Sequence, residues 1–414
     1  MRRSGDSAAG RLGDRLDEAR RDLRLDPGDQ EARRRCAILL ERLGRHVEAE
    51  RLLAGVDPGD ESEDEWRARL RRLACQARFP GVFRGVVSDL RFSASGRLVA
   101  WLVGRDGHRR RLCVGDSASQ RVLFDLRAPE LNLVGWAGET LVFELADGLR
   151  RWSEDAVDGE YSPFEPAGRG RSGVSAIALG EARLLTREEG EVRSWPAEQV
   201  LGECPPEWDL VDIVEDGLWL VRDTSRATAG FYDPSSGRLT GGAIPARILL
   251  AWSRIRPRMV LHSQGRYRIH PADPAAPVIE LPFETGEATH FSFARDEDSL
   301  RLFHRGVPRR FEPSRGGFSG REAEGIGLEA RPALSGSHPP GRSWHPWCDV
   351  AAIRRGRGRR GLMLRSADGR QIANLGPLLF LGFSPCGRRL AMARPVGSEN
   401  VRIELWSAPL PGHS

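Results

Sequence analysis

Residues 378–407 read LLFLGFSPCGRRLAMARPVGSENVRIELWS. An apolar run ends at Phe383, a tight turn follows at Ser384–Gly387, and a second apolar run leaves through Leu390. After the polar stretch around Gly397 a third run ends at Trp406. Short apolar runs bounded by Gly, Pro, Ser and Asp are the pattern of strands joined by hairpins. The same unit recurs along the chain, at Asp89–Gly104, Leu131–Leu145, Ser175–Trp195, Asp209–Asp223, Arg247–His270, Ala288–Gly306 and Arg342–Leu375.

With the quoted stretch these make eight copies. Their anchor residues are Phe92, Trp136, Leu179, Val214, Trp252, Phe293, His345 and Phe383, separated by 44, 43, 35, 38, 41, 52 and 38 residues. Four-stranded propeller blades repeat at about 40–50 residues. A β-helix repeats far more tightly, and a sandwich does not repeat its unit. The pattern therefore predicts a mostly β fold, a β-propeller of eight blades, with seven as the alternative should one unit be misparsed. Closing the ring removes an open edge strand. The chain ends at the third strand of its last unit, so residues Phe79–Val86 are the expected donors of the missing fourth strand. The Gly-, Pro- and Arg-rich segment 309–343 is expected to form a long loop.

The units resemble blades of the Trp-Asp (WD) repeat propeller family. Phe383-Ser384-Pro385-Cys386-Gly387-Arg388 and Phe92-Ser93-Ala94-Ser95-Gly96-Arg97 are similar to its strand–turn–strand consensus. The third-strand Trp appears as Trp152, Trp195 and Trp406, and Asp116 and Asp233 take the Asp place in units without the Trp. The Gly-His dipeptide of the family is missing from its usual place in every unit. The resemblance covers residues 80–410 and implies a rigid interaction platform.

Before the β region lie helix formers. Asp-Pro-Gly-Asp recurs at Asp26–Asp29 and Asp57–Asp60, each interrupting helical periodicity. Helices are predicted over Arg11–Leu25 and Ser62–Ala77, the latter opening on a capping box at Ser62–Glu65. The stretch between is a helical hairpin. It resembles a tetratricopeptide repeat, with Ala37, Gly44, Ala49, Leu53 and Pro58 at the matching places counted from Gln30. The resulting division is residues 1–77, helical, and residues 78–410, propeller. Such a hairpin either cradles a partner peptide or simply packs on the rest of the chain.

The chain has 63 Lys+Arg, and not one is Lys. That excludes a phosphate-binding loop ending in Gly-Lys, a kinase strand Lys and a Lys Schiff base. Compositional bias of a high-GC genome accounts for an Arg-only repertoire. The net charge is +5, unevenly spread: residues 305–414 hold 18 Arg against 8 acidic residues, a net of +10. Six scattered cysteines, with no Cys-x-x-Cys pair, read as reduced buried thiols in a cytoplasmic chain. No apolar run reaches the roughly 20 residues a spanning helix needs.

Catalytic motifs are missing. The Gly-x-Gly-x-x-Gly at Gly356–Gly361 lies between predicted strands with no helix after it, the wrong setting for a dinucleotide. No cofactor and no metal is expected. The sharpest local feature is the run Arg354, Arg355, Arg357, Arg359 and Arg360 on a predicted hairpin. Arg forks suit carboxylate or phosphate, and the intervening Gly residues let a polyanion approach; a solvated loop is the bland alternative. Trp344 and Trp347 flank His345-Pro346 and either pack at a strand–turn junction or join these Arg residues as a partner-binding set. The expected function is a non-catalytic protein–protein interaction scaffold engaging an acidic protein. The alternatives are nucleic-acid or polyanion binding through the Arg-rich last third, and a propeller-based lyase or hydrolase. An accessory of a bacterial multi-component system is a narrower expectation, resting on architecture alone.

Overall fold

The second strand of each blade is covered on both faces by its neighbours, so its sequence is nearly continuous in apolar residues. Leu98–Gly104, LVAWLVG, is buried along almost its whole length. The innermost strand, Val86–Phe92, alternates instead. In the computed structural model these runs form eight antiparallel sheets. The structure describes residues 8–42, 49, 52, 62–104, 109–117, 119–155, 160–164, 175–179, 183–188, 190–214, 217–253, 256–294, 298–305, 307–319, 331–332, 348–354, 362–367, 370–376, 380–385 and 387–407.

Blade 1 consists of Val86–Phe92, Leu98–Gly104, Arg110–Asp116 and Val122–Ala128, ordered from the axis outward. Blades 2 to 6 span residues 132–163, 175–203, 209–245, 248–280 and 288–318. Blade 7 is Arg331–Pro332, Val350–Arg354, Leu362–Ser366 and Gln371–Gly376. Blade 8 has Phe380–Phe383, Arg389–Val396 and Asn400–Ser407, and its outer strand is Ala74–Arg78. Eight blades form one closed ring, with the inner strand of blade 1 lying against that of blade 8.

Every seam between neighbouring blades holds an apolar cluster. Leu98, Leu112 and Phe124 of blade 1 meet Leu133, Trp136 and Phe143 of blade 2. Fully burying one such side chain is worth about 1.5–3 kcal/mol, so the seams supply the ring's cohesion. Charge supplements the seam between blades 6 and 7. There Arg310 donates to the buried Asp349 at 2.7 Å, and Arg301 donates to the Cys348 carbonyl at 3.3 Å.

The closing seam is built from residues 74–85. Cys75 lies opposite Trp406 and Arg78 opposite Glu404, the Phe79 amide donates to the Ile403 carbonyl, and Phe83 pairs with Val401. The sequence predicts Phe79–Val86 as donor and a helix running to Ala77. Instead the helix ends at Leu70 and pairing begins at Ala74. The edge of blade 8 recruits Ala74–Arg78 into the ladder against its helical composition. The same segment grips blade 1: the Phe79 ring lies 4.9 Å and the Phe83 ring 5.4 Å from that of Trp101. Phe79 rests on Gly115, where a Cβ would collide with the ring. Glu404, buried, accepts from Arg394 at 2.8 Å and from the Trp406 indole at 3.1 Å, and Arg78 of the closing strand lies 3.5 Å away. Burial raises its pKa, but these partners outweigh it and hold the carboxyl below its ordinary value.

Two further expectations change. Part of the segment expected as a loop forms strands: Val307–Glu312 and Gly317–Phe318 complete blade 6, and Arg331–Pro332 is the inner strand of blade 7. The inner strand of blade 7 therefore precedes the predicted anchor His345, which lies outside the described residues.

Helix α1, Ala8–Leu25, and helix α2, Gln30–Arg42, pack through Leu16, Ala19, Cys36, Ala37 and Leu40, with Ala49 in the same cluster. Asp29 caps α2 by accepting from the Ala32 amide at 2.9 Å. Gly44, Leu53 and Pro58 lie outside the described residues. Helix α3, Glu63–Leu70, opens on the expected capping box, with Ser62 accepting from the Glu65 amide. It inserts Trp66 and Leu70 among Cys348, Ile372, Leu381 and Met392, at the seam of blades 7 and 8.

Gly115→Ala is expected to cost about 1–3 kcal/mol, the range for overpacking a tight core. Urea unfolding of this variant, Phe79→Leu and the double variant should show the double variant recovering part of that loss. Ionised Glu404 contributes stability in full above 4.5, the ordinary value of a Glu carboxyl, and loses it as pH falls through its lower folded pKa. Melting temperature from pH 6 down to about 3 should therefore fall more steeply for the native chain than for Glu404→Gln.

Candidate partner-binding face

Up-and-down blades send the hairpins between second and third strands, and the connections from one blade to the next, to one face of the ring. Arg354 ends the second strand of blade 7 and lies opposite Leu362, the first residue of the third. The predicted hairpin therefore joins paired strands on this face. Arg355, Arg357, Arg359 and Arg360 lie outside the described residues, as do Trp344 and Trp347. Arg331 pairs with Arg354 and Pro332 with Ile353.

On the hairpin face the described polar groups hold one another. Arg84 and Glu399 pair at 3.0 Å beside the closing strand, and Arg110 donates to Asn132 at 2.7 Å across the seam of blades 1 and 2. Arg305 and Glu287 pair at 2.6 Å, and that hydrogen bond holds the Glu287 carboxyl below its usual range. Asp223 accepts from the Ser225 hydroxyl and the Arg226 amide, which together lower its pKa and fix the hairpin of blade 4. Among the described residues no group of three or more His, Cys, Asp or Glu could hold a metal ion.

The inner strands give the face a stiff frame. Among the described residues five carry a bulge at corresponding places, at Ser88, Val134, Val211, Leu250 and His290–Phe291. Trp136 and Trp252 follow the bulges of blades 2 and 5, and each indole reaches back to the preceding blade. Trp136 donates to the Arg91 carbonyl at 3.2 Å, and Trp252 donates to the buried Asp212. Arg91 in turn donates to the Val134 carbonyl.

Charge divides the ring into arcs. Residues 129–245, blades 2 to 4, hold 22 acidic residues and 10 Arg, a net of −12. Blades 7, 8 and 1, residues 319–414 and 74–128, hold 24 Arg and 11 acidic residues, a net of +13. Exposed Glu130, Glu144, Asp147, Glu203, Glu207 and Asp209 stand on the hairpin face of the acidic arc. Exposed Arg84, Arg109 and Arg127 stand on that of the basic arc. Counting charge over long spans conceals the acidic arc, because residues 1–73 sum to zero and blades 5 and 6 to +4. Counting blade by blade reveals it.

The chain matches no family model, and no curated protein sequence matches it. Among solved structures it is similar to one described as "Structure of Dos1 propeller", with a TM-score of 0.49 and 10% identity, covering 82% of this chain and 96% of that one. A second, described as "Crystal structure of the eukaryotic initiation factor", gives a TM-score of 0.43 and 13% identity, covering 78% and 86%.

Trp252→Phe keeps the ring packing but removes one donor, the indole N–H, from the buried Asp212 carboxylate. Thermal or urea unfolding should show a loss of about 1–3 kcal/mol.

Proposed function

We propose that this chain is a non-catalytic, cytoplasmic protein-interaction scaffold whose hairpin face is the docking platform. The observation that carries this is the charge-divided face on a latched, closed ring. A rigid platform binds without the entropic cost of ordering its own loops, and strong charge selects partners and speeds encounter. The basic arc, with the Arg354, Arg355, Arg357, Arg359 and Arg360 hairpin, engages an acidic protein. The paired helices α1 and α2 offer a second docking surface, held to the ring through α3.

The repeat belongs with WD blades in this proposal. Two details support the assignment. The Trp195 indole donates to Thr186 of the neighbouring strand at 2.9 Å. Blades 1 and 8 share one turn, in which Ser93 and Ser384 accept from the amides of Leu98 and Arg389. The small residues Ala37 and Ala49, both fully buried, support the tetratricopeptide-like packing of the helices. Buried Cys36, Cys113 and Cys204, none of them in a disulfide, suit a reducing compartment. The pKa of Cys113 is pushed up to about 12, mainly by burial and then by Asp125, which makes it a core thiol and not a nucleophile.

Replacing the five Arg by Ser should remove an acidic protein from the set captured by affinity purification from the native host, with melting temperature unchanged. An unchanged captured set rejects the Arg hairpin as the contact. Capture of nucleic acid in place of protein, lost steeply with salt, transfers the surface to polyanion binding.

A further inference from the structure

We infer that the hairpin face is self-complementary and docks on the same face of a second copy of this chain, acidic arc against basic arc. The inference deepens the platform reading by naming an acidic partner.

The geometry of the ring supplies the argument. In an eight-bladed ring blade 3, the centre of the acidic arc, stands three places from blade 8, the centre of the basic arc. The two arcs carry nearly equal and opposite charge, −12 and +13, and both present exposed groups on one face. Consider two rings face to face, with a twofold axis in the plane between them and perpendicular to the line joining the arcs. Each acidic arc then lies over the other copy's basic arc. The contact is made twice, and the assembly closes at two copies, as an isologous interface must. Any other rotation brings like arcs together, so charge fixes the register as well as the attraction.

Single exposed pairs contribute only about 0.2–1 kcal/mol and are screened within about 8 Å at physiological salt. Several must therefore act together, and the association must weaken steeply as salt rises. Part of each arc is already paired within the chain, as Arg84 with Glu399 and Asp147 with Arg150. Glu130, Glu144, Glu203 and Glu207 are exposed on the acidic side.

Sedimentation velocity of the full chain tests this. In about 20 mM NaCl, where the screening length exceeds 10 Å, the native chain should sediment as a dimer, at twice its 45.9 kDa mass. In about 500 mM NaCl it should be a monomer. The triple variant Glu144→Arg, Glu203→Arg, Glu207→Arg should be monomeric at low salt, and so should Arg84→Glu, Arg109→Glu, Arg127→Glu. An equimolar mixture of the two should dimerise, because each reversed arc then meets its new opposite; this also shows that both variants are folded. A native chain monomeric at low salt, a dimer that survives high salt, or a mixture that stays monomeric overturns the inference. If the native chain is monomeric while the five-Arg variant still loses its captured protein, self-docking is wrong and the platform stands.

Discussion

A small radial sheet cannot cover its own faces. Each blade buries its second strand only because a neighbour lies on either side, and this dependence is satisfied at every position only if the ring closes. Closure falls to residues 74–85, which pair with blade 8 while Phe79 and Phe83 pack on Trp101 of blade 1. Gly382, on the inner strand of blade 8, meets Leu90 of blade 1 so closely that a Cβ there would be crowded. One segment thus joins first and last blades by ladder hydrogen bonds and by apolar contact. Helix α3 lies directly ahead of it in sequence, so docking Trp66 between blades 7 and 8 also aims the closing strand.

The proposed function rests on how the ring is braced. With the seams filled and the inner strands cross-linked by Trp136, Trp252 and Arg91, the hairpins project from a braced frame. In that proposal a partner meets a fixed pattern of charge. The pattern is unequal around the ring, and inequality on a rigid circle specifies orientation as well as attraction.

Blade number and strand order were legible in the sequence because each unit repeats the same apolar spacing and turn chemistry. The anchors Trp136 and Trp252 were legible as well. Their partners, the Arg91 carbonyl and Asp212, were not, since the pairing crosses a seam some 40 residues wide. Ala74–Arg78 reads ACQAR, a composition suited to helix, and becomes a strand because an open edge waits for it. Of the inner strand of blade 7 the described residues are Arg331–Pro332, too few to show alternation, whereas Trp344–Trp347 is the conspicuous aromatic cluster nearby in sequence. The acidic arc is not legible as a run of sequence, because its charges are spread over more than a hundred residues and gather only when the chain is wound into blades.

Hydrogen exchange of the intact chain tests the closed ring most directly. Amides of Ala74–Arg78 and their partners in Asn400–Ser407 should be protected as long as those of the second strands of blades 4 and 5. Exchange of residues 74–85 within seconds, with Asn400–Ser407 behaving as an open edge, would contradict it.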